Sequence, residues 1–468
     1  MILNFSVSNY LSYDMATTLD LSAGKARVNN EHVYFGDGFK CVKFAALYGA
    51  NATGKTNIIK AIKQLRRFVQ YSIMQQPTDI TNLYHRMKPE NKALPSTFNI
   101  EFEYKETHYR YTFSVILSQK RFTEEALYRV SKTGREREIY YRDISGKNHH
   151  PVLYFKSSAA NTKLNNNLED NDSNNEALML TLMNHGKESM YDKNPELSVL
   201  RDVYYFITRC IVFRFPFAHK GSDSMKYERF NFDSLSNVLD GLGFGEYSIS
   251  MREVDNDMVM RETALDDSDI SRIKDKLIEI KYSHEGDVDD EKPFQLVASM
   301  FKGYYIFKLD KENNLSIFTL SFVHNHNGVS FTLGEESDGT ARILELLDIL
   351  VFENKDITFL VDELDSSLNP SLTTKFVKLF LEKAADTKLQ LITSTHEVRI
   401  IDEKILRNDE IFIVTKNDDC ASDIIPLKGI KLRADKRLYE AFFDDTIKEL
   451  LPKFNDRKLE KGLKVVKK

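Results

Sequence analysis

Residues 47–59, LYGANATGKTNII, restrict what this chain can fold into more than any other stretch. Gly49, Ala50, Asn51, Ala52, Thr53, Gly54, Lys55 and Thr56 fit G-x-x-x-x-G-K-[ST] at every position. The apolar run before them, CVKFAALY at 41–48, suits a strand buried in a parallel sheet. After Thr56 the apolar spacing turns helical, through Ile58, Ile59, Ile62, Leu65, Phe68 and Val69. A strand, a glycine-bracketed turn and a helix in that order aim successive backbone N–H groups and a helix N-terminus at one point. Such a cradle suits phosphate. Lys55 is spaced to reach the β- and γ-phosphates of a nucleotide, and the Thr56 hydroxyl to ligate Mg²⁺. Asn51, Ala52, Thr53 and Asn57 complete the expected nucleotide-contacting set with Gly49 and Gly54.

A second stretch, ITFLVDELDSSLNP at 357–370, places two carboxylates at the end of an apolar strand. Ligands of open α/β sheets bind at the C-terminal ends of strands. Asp362 is therefore expected to hold Mg²⁺, and Glu363 to polarise a water for in-line attack on a γ-phosphate. His396 follows the next strand, in LITSTHEVRII, where it can bond the γ-phosphate and the attacking water. In GEESDGTARILELLDIL, 334–350, a Ser-x-Gly turn opens an amphipathic helix. Ser337 and the Gly339 N–H make a second anion site there. One phosphate loop already covers one face of a nucleotide, so this second turn best serves the nucleotide of another subunit. The plainer reading of Ser337 is a helix cap.

The whole chain has 468 residues, enough for two or three domains, with 42% hydrophobic and 29% charged residues, as in ordinary globular proteins. A formal net charge of −5 gives no bulk basic character that would demand nucleic acid. Cys41, Cys210 and Cys420 form no C-x-x-C pair, which argues against a zinc knuckle or a disulfide framework. The opening MILNFSVSNYLSY lacks the pattern of a secretory signal, and no run of about 18 apolar residues suggests a membrane span. A reduced, cytoplasmic location is expected. Strands are expected at 2–7 and 15–22 as a hairpin, at 97–104 and 109–117 as another, and at 125–130 and 138–144 beside them. The Asn- and Ser-rich stretch at 157–176 reads as a loop or linker. Helices near 176–185, 196–209, 232–241 and 268–282 and a strand at 210–215 follow it. Strand-like alternation returns at 296–323. A helix at 339–354, strand 357–361, helix 370–385 and strands 389–394 and 410–415 then give the clearest parallel α/β signal. The domain boundaries so placed are 1–155, an inserted and mostly helical lobe at 156–295, 296–430, and a C-terminal helix with a basic tail at 431–468.

In order, the chain runs phosphate loop, long insertion, Ser-Asp-Gly turn, Val-Asp-Glu strand, SSLNP loop, histidine. This resembles the ABC-type ATPase heads of the structural-maintenance and recombination-repair group. More closely it resembles the AAA-15/AAA-21 ATP-binding proteins of prokaryotic abortive-infection and anti-phage systems, through LYGANATGKTNIIKAI, EESDGTARILELL, VDELDSSLNPSL and STHEVRII, and through the first strand NFSVSNYLSY. The likeness covers roughly 1–130 and 296–416 and is weak over 156–295.

The resemblance implies an α/β fold, an ABC-type P-loop head of a mixed sheet plus an antiparallel sheet. It gives Lys55 and Thr56 the Walker A roles, Asp362 and Glu363 the Walker B roles, Ser337 and Gly339 the signature acting in trans, and His396 the switch. ATP and Mg²⁺ are the implied cofactors. Such heads sandwich ATP between two protomers, so a dimer or higher homo-oligomer is implied. The signature here is Ser-Asp-Gly rather than Ser-Gly-Gly, Asn369 stands where a D-loop aspartate is usual, and Gln75 and Gln76 come too early for a Q-loop. Slow hydrolysis or a switch role fits these departures.

No nuclease domain is visible: HNHNG at 324–328 reads as a polar turn, and DVDDEK at 287–292 and EVDNDM at 253–258 as solvated acidic loops. A separately encoded effector such as a nuclease, and a phage-encoded trigger, are therefore the expected partners of an ATPase sensor. An ATP-gated DNA clamp of the SMC/RecF type is the second expectation, and a scaffold that binds ATP without cleaving it the third.

Overall fold

The computed structural model describes residues 1–25, 28–185, 188–216, 232–245, 247–263, 265–283, 294–300, 303–324, 328–351, 356–402 and 404–429. Two compact units divide the chain. The first comprises Met1–Phe213, Asn354–Leu364 and Val377–Lys468; the second comprises Arg214–Glu353 and Asp365–Phe376. The first unit thus runs past the boundary expected at 155. The C-terminal helix and basic tail expected at 431–468 lie outside the described residues.

Among the described residues, a two-stranded sheet and two large ones build the first unit. The antiparallel one contains β1 (Ile2–Ser8), β2 (Thr17–Asp20), β6 (Ser96–Tyr104), β7 (Thr107–Ile116), β8 (Arg121–Val130), β9 (Glu136–Asp143) and β10 (Asn148–His149). Its strand order is β10-β9-β8-β7-β6-β1-β2. The expected hairpins are present, with Phe5 opposite Leu19 and Phe98 opposite Phe113. Inward residues Phe98, Phe113 and Phe122 each meet Phe68 of helix α1 (Lys55–Gln70) edge-on, with ring centroids 5.6–5.7 Å apart. Burying one such ring is worth about 2–3 kcal/mol, so this aromatic contact anchors the helix that follows the phosphate loop.

The second sheet holds β5 (Phe44–Tyr48), β11 (Ile211–Arg214), β17 (Ile357–Val361), β18 (Leu389–Ser394), β19 (Ile411–Lys416) and β20 (Ser422–Pro426) in the order β11-β17-β18-β5-β19-β20. β17, β18, β5 and β19 are parallel. The expected run 41–48 is split at Lys43: β4 (Lys40–Val42) pairs with β3 (Val33–Phe35), and only 44–48 enters the parallel sheet. Lys43 breaks the run because its ammonium is drawn to the end of helix α10 (Pro370–Ala385), donating to the carbonyls of Ala384 at 2.6 Å and Ala385 at 2.8 Å. A cation there complements the helix dipole.

The Asn-rich stretch is not a linker. It forms α2 (Ser158–Asp170), capped by the Ser157 hydroxyl on the Ala160 N–H. Ala160, Leu164 and Leu168 bury one stripe at four-residue spacing. The buried Arg142 guanidinium then donates to the carbonyls of Asn171, Asn174 and Ala177, ordering the turn that follows. Buried Glu125 receives the Met179 and Leu180 N–H groups at the start of α3 (Met179–Asn184). Helices α4 (Glu188–Lys193) and α5 (Ser198–Tyr205) complete this region.

The second unit contains α6 (Phe232–Gly241), β12 (Tyr247–Val254), α7 (Asn256–Glu262), α8 (Asp267–Ser283), β13 (Phe294–Met300), β14 (Gly303–Leu309), β15 (Leu315–His324), β16 (Ser330–Thr332) and α9 (Asp338–Val351). Its sheet runs β12-β15-β14-β13, with β16 also paired to β15. Val259, Ile270 and Leu277 from the helices close over Tyr305, Phe307, Leu309 and Ile317. β12 was not anticipated from the sequence, although Tyr247, Ile249 and Met251 alternate with serines. Among the described residues no helix is long and apolar enough to cross a membrane.

Candidate functional site

Parallel β5 and β18 end together, with Leu47 opposite Ser394, and β17 ends one strand further over, with Val361 opposite Thr393. The chain therefore delivers the phosphate loop after β5, Asp362 and Glu363 after β17, and His396 after β18 to one end of one sheet. This is where a parallel sheet places ligands.

Within the loop, Gly49 is required by close approach: a Cβ there would stand 2.3 Å from the Val414 carbonyl oxygen. Gly54 has φ +114°, and a Cβ would lie 2.4 Å from Ser422 Oγ and 2.7 Å from Ser12 Oγ. Ala52 takes a left-handed φ of 64°, and the Thr53 hydroxyl closes the turn on the Ala50 carbonyl at 2.9 Å. Asn51 and Ala52 are exposed at the tip. Lys55 is buried, its ammonium donating to the carbonyls of Gly49 at 2.8 Å and Ala50 at 3.1 Å. The cation is thus held at the mouth of the loop. The Asn57 side-chain amide donates to Ser12 Oγ at 2.9 Å.

Thr56 and Asp362, 306 residues apart, meet: the Thr56 hydroxyl donates to Asp362 Oδ1 at 3.1 Å. Asp362 is buried and also receives Ser394 Oγ at 2.6 Å. The same Ser394 Oγ accepts the Glu363 N–H at 2.8 Å, and the Leu364 N–H reaches the Ser394 carbonyl at 2.9 Å. Glu363 has φ +48°, a left-handed conformation costly for a residue with a side chain, by about 1–2 kcal/mol. The turn rotates its side chain out of the strand's alternation to an exposed position. A hydroxyl and a carboxylate converging beside a phosphate cradle are hard oxygen donors, the set that suits Mg²⁺ when phosphate oxygens supply further ligands.

His396 is exposed at the end of β18. Both of its neighbours are tied to β5: the Thr395 N–H donates to the Leu47 carbonyl at 3.2 Å, and the Tyr48 hydroxyl to the Glu397 carbonyl at 2.9 Å. The histidine is thereby registered to the strand that enters the loop.

Ser337 and Gly339 belong to the second unit. Ser337 is the cap of α9, its Oγ accepting the Thr340 N–H at 3.0 Å. A Cβ on Gly339 would stand 3.0 Å from the Ser367 carbonyl, so a glycine lets these two backbone segments meet. Asn369 caps α10 through Oδ1 on the Leu372 N–H at 2.9 Å. That local task accounts for a residue that accepts but need carry no charge.

Four residues of this site were not singled out in the sequence: Ser12, Ser394, Ser422, and Tyr13, whose hydroxyl donates to the Gly54 carbonyl at 3.0 Å. Ser394 carried a weak signal, as the polar residue closing the apolar run LQLITS ahead of Thr395 and His396. The others carried none.

A family model described as "AAA domain, putative AbiEii toxin, Type IV TA system" matches residues 44–402. No curated protein matches the chain. Among solved structures the chain is similar to an SMC head bound to the C-winged helix domain of ScpA, at 13% identity and TM-score 0.37, covering 91% of this chain and 97% of that one. It is similar to the SMC head domain from Thermotoga maritima at 14% identity and TM-score 0.32, over 92% and 99% of the two chains. An SMC head with an extended coiled coil, bound to the C-terminal domain of ScpA from Pyrococcus furiosus, gives 12% identity and TM-score 0.31, over 91% and 95%.

Proposed function

Because the chain belongs to this family of AAA domains, a P-loop ATPase class, we propose that it is an ABC-like ATP switch: a slow ATPase that regulates an anti-phage, toxin–antitoxin-like module. The observation that carries the ATPase reading is the meeting of Thr56 and Asp362 beside the loop. The family's toxin–antitoxin description supports the defence role.

In this reading the loop's N–H groups and Lys55 bind the β- and γ-phosphates, and Thr56 and Asp362 would hold Mg²⁺. The ion, when bound, would neutralise phosphate charge. Glu363 orients a water and takes its proton as the water oxygen bonds to the γ-phosphorus. The bond to the β-phosphate oxygen breaks, and ADP and inorganic phosphate leave. His396 bonds the γ-phosphate and steadies the water. Ser337 and the Gly339 N–H serve the nucleotide of a second protomer, so ATP holds a homo-oligomer together and hydrolysis releases it. The change of state is passed to a separate effector, such as a nuclease, in response to a phage-encoded trigger.

The test is ATP-dependent assembly and phosphate release by the purified chain. Lys55→Ala is expected to lose nucleotide binding, and Glu363→Gln to bind ATP and remain in the assembled state. Unchanged hydrolysis and assembly in both variants would refute the reading. ATPase activity that requires DNA and falls steeply with salt would instead select the DNA-clamp alternative.

A further inference from the structure

Two hydroxyls from opposite ends of the chain hold the back of the phosphate loop. Tyr13 is fully buried, and its OH donates to the Gly54 carbonyl at 3.0 Å. Burial pushes its phenol pKa up, so the group stays protonated and a donor. Ser422, at the start of β20, is also buried, and its Oγ donates to the Thr53 carbonyl at 2.5 Å. The two segments brace each other, since the Ser422 N–H donates to the Ser12 carbonyl at 2.7 Å. Ser12 Oγ in turn receives the Asn57 amide at 2.9 Å. The approach is so close that only glycine fits at position 54.

A peptide unit is planar and trans, so its C=O and N–H point in opposite directions. Holding the Thr53 carbonyl toward Ser422 turns the Gly54 N–H away from it. The Gly54 carbonyl, which also accepts the Asn57 and Ile58 N–H groups of the helix's first turn, is held by Tyr13 as well, and this does the same for the Lys55 N–H. These two N–H groups open the helix that the loop enters and are the donors a phosphate would use. We infer that Tyr13 and Ser422 are positioning residues that preset the phosphate-binding N–H groups of the loop from behind, without touching the ligand. The inference rests on the ATP-binding reading above. It goes beyond it by assigning ligand affinity to two residues outside the G-x-x-x-x-G-K-T motif.

The experiment titrates the full chain and its Tyr13→Phe, Ser422→Ala and double variants with Mg·ATP, Mg·ADP and inorganic tripolyphosphate, alongside thermal denaturation of the nucleotide-free proteins. Each single change is expected to weaken all three ligands about three- to tenfold, the worth of one hydrogen bond. The double variant should weaken them by more than either single change. Ser422→Thr, which keeps the hydroxyl, should restore most of the affinity lost in Ser422→Ala. Because the clamp acts on the cradle, the loss for tripolyphosphate should equal the loss for ATP. Variants that melt earlier but bind all three ligands as tightly as the wild type would overturn the inference, as would a loss confined to ATP. Lys55→Ala, run in parallel, tests the underlying reading: ATP binding unaffected by that change would sink the phosphate-loop assignment, whatever the clamp variants do.

Discussion

Ser394 joins the two acidic residues of the candidate site: its Oγ donates to Asp362 Oδ1 at 2.6 Å while accepting the Glu363 N–H at 2.8 Å. One hydroxyl therefore fixes the direction of a buried carboxylate and the backbone of the residue after it. Replacing Ser394 with Ala leaves both without that partner. Turnover is expected to fall about ten- to a hundredfold, the size of effect of misplacing a reacting group. ATP affinity should change by less than about threefold, since the loop N–H groups are untouched. Steady-state phosphate release and equilibrium ATP binding, measured together, check the split between the two.

Gly54→Ala places a methyl group 2.4 Å from Ser422 Oγ at φ +114°. Neither strain can relax without moving the loop or β20. The change is expected to cost about 2–4 kcal/mol of stability and to abolish measurable ATP binding. Thermal denaturation and an ATP titration test both effects, and wild-type affinity would show that the loop does not need its observed backbone.

Arg142 is buried, holds three carbonyls at 171–177, and lies 3.9 Å from the buried Glu125 carboxylate. Arg142→Leu removes the positive charge from that ion pair and takes the guanidinium donor away from the three carbonyls. A destabilisation of about 3–5 kcal/mol is expected, with new protease cleavage in 171–177. Chemical denaturation and limited proteolysis followed by mass spectrometry would reveal a smaller effect.

Glu410 is buried beside His32 at 3.2 Å and receives the Arg407 N–H at 2.7 Å. Burial pushes its carboxyl above the ordinary value of 4.5, against the smaller pull of His32. The folded protein therefore binds this proton more tightly than the unfolded chain. The stability contributed by the group is fully present below about pH 4.5 and is lost as pH rises through the folded value. Glu410→Gln is expected to remove that loss, so that its denaturation midpoint gains on the wild type as pH is raised from acid to neutral. A constant offset at every pH would contradict the assignment.

Much of the site was legible locally. The loop at 49–56, strands 357–361 and 389–394, and helix 370–385 carry their periods and punctuation within a few neighbouring residues. The same reasoning misjudged 158–170, because a stripe of Ala160, Leu164 and Leu168 is thin among so many asparagines, and what stabilises the turn after it is Arg142 on another strand. It also read 41–48 as one strand, since the partner that draws Lys43 out of the run is the far end of α10.

By itself, then, the sequence determined that this chain carries a strand, a phosphate-type turn and a helix, and a later strand bearing two acids, because backbone preference and hydrophobic period act between near neighbours. Tertiary structure alone decided that Thr56 meets Asp362, that Ser394 couples Asp362 to Glu363, and that Tyr13 and Ser422 grip the loop from 41 and 369 residues away. A hydroxyl has no periodic signature, and its hydrogen bond has meaning only once distant segments have been brought within 3 Å or so of each other.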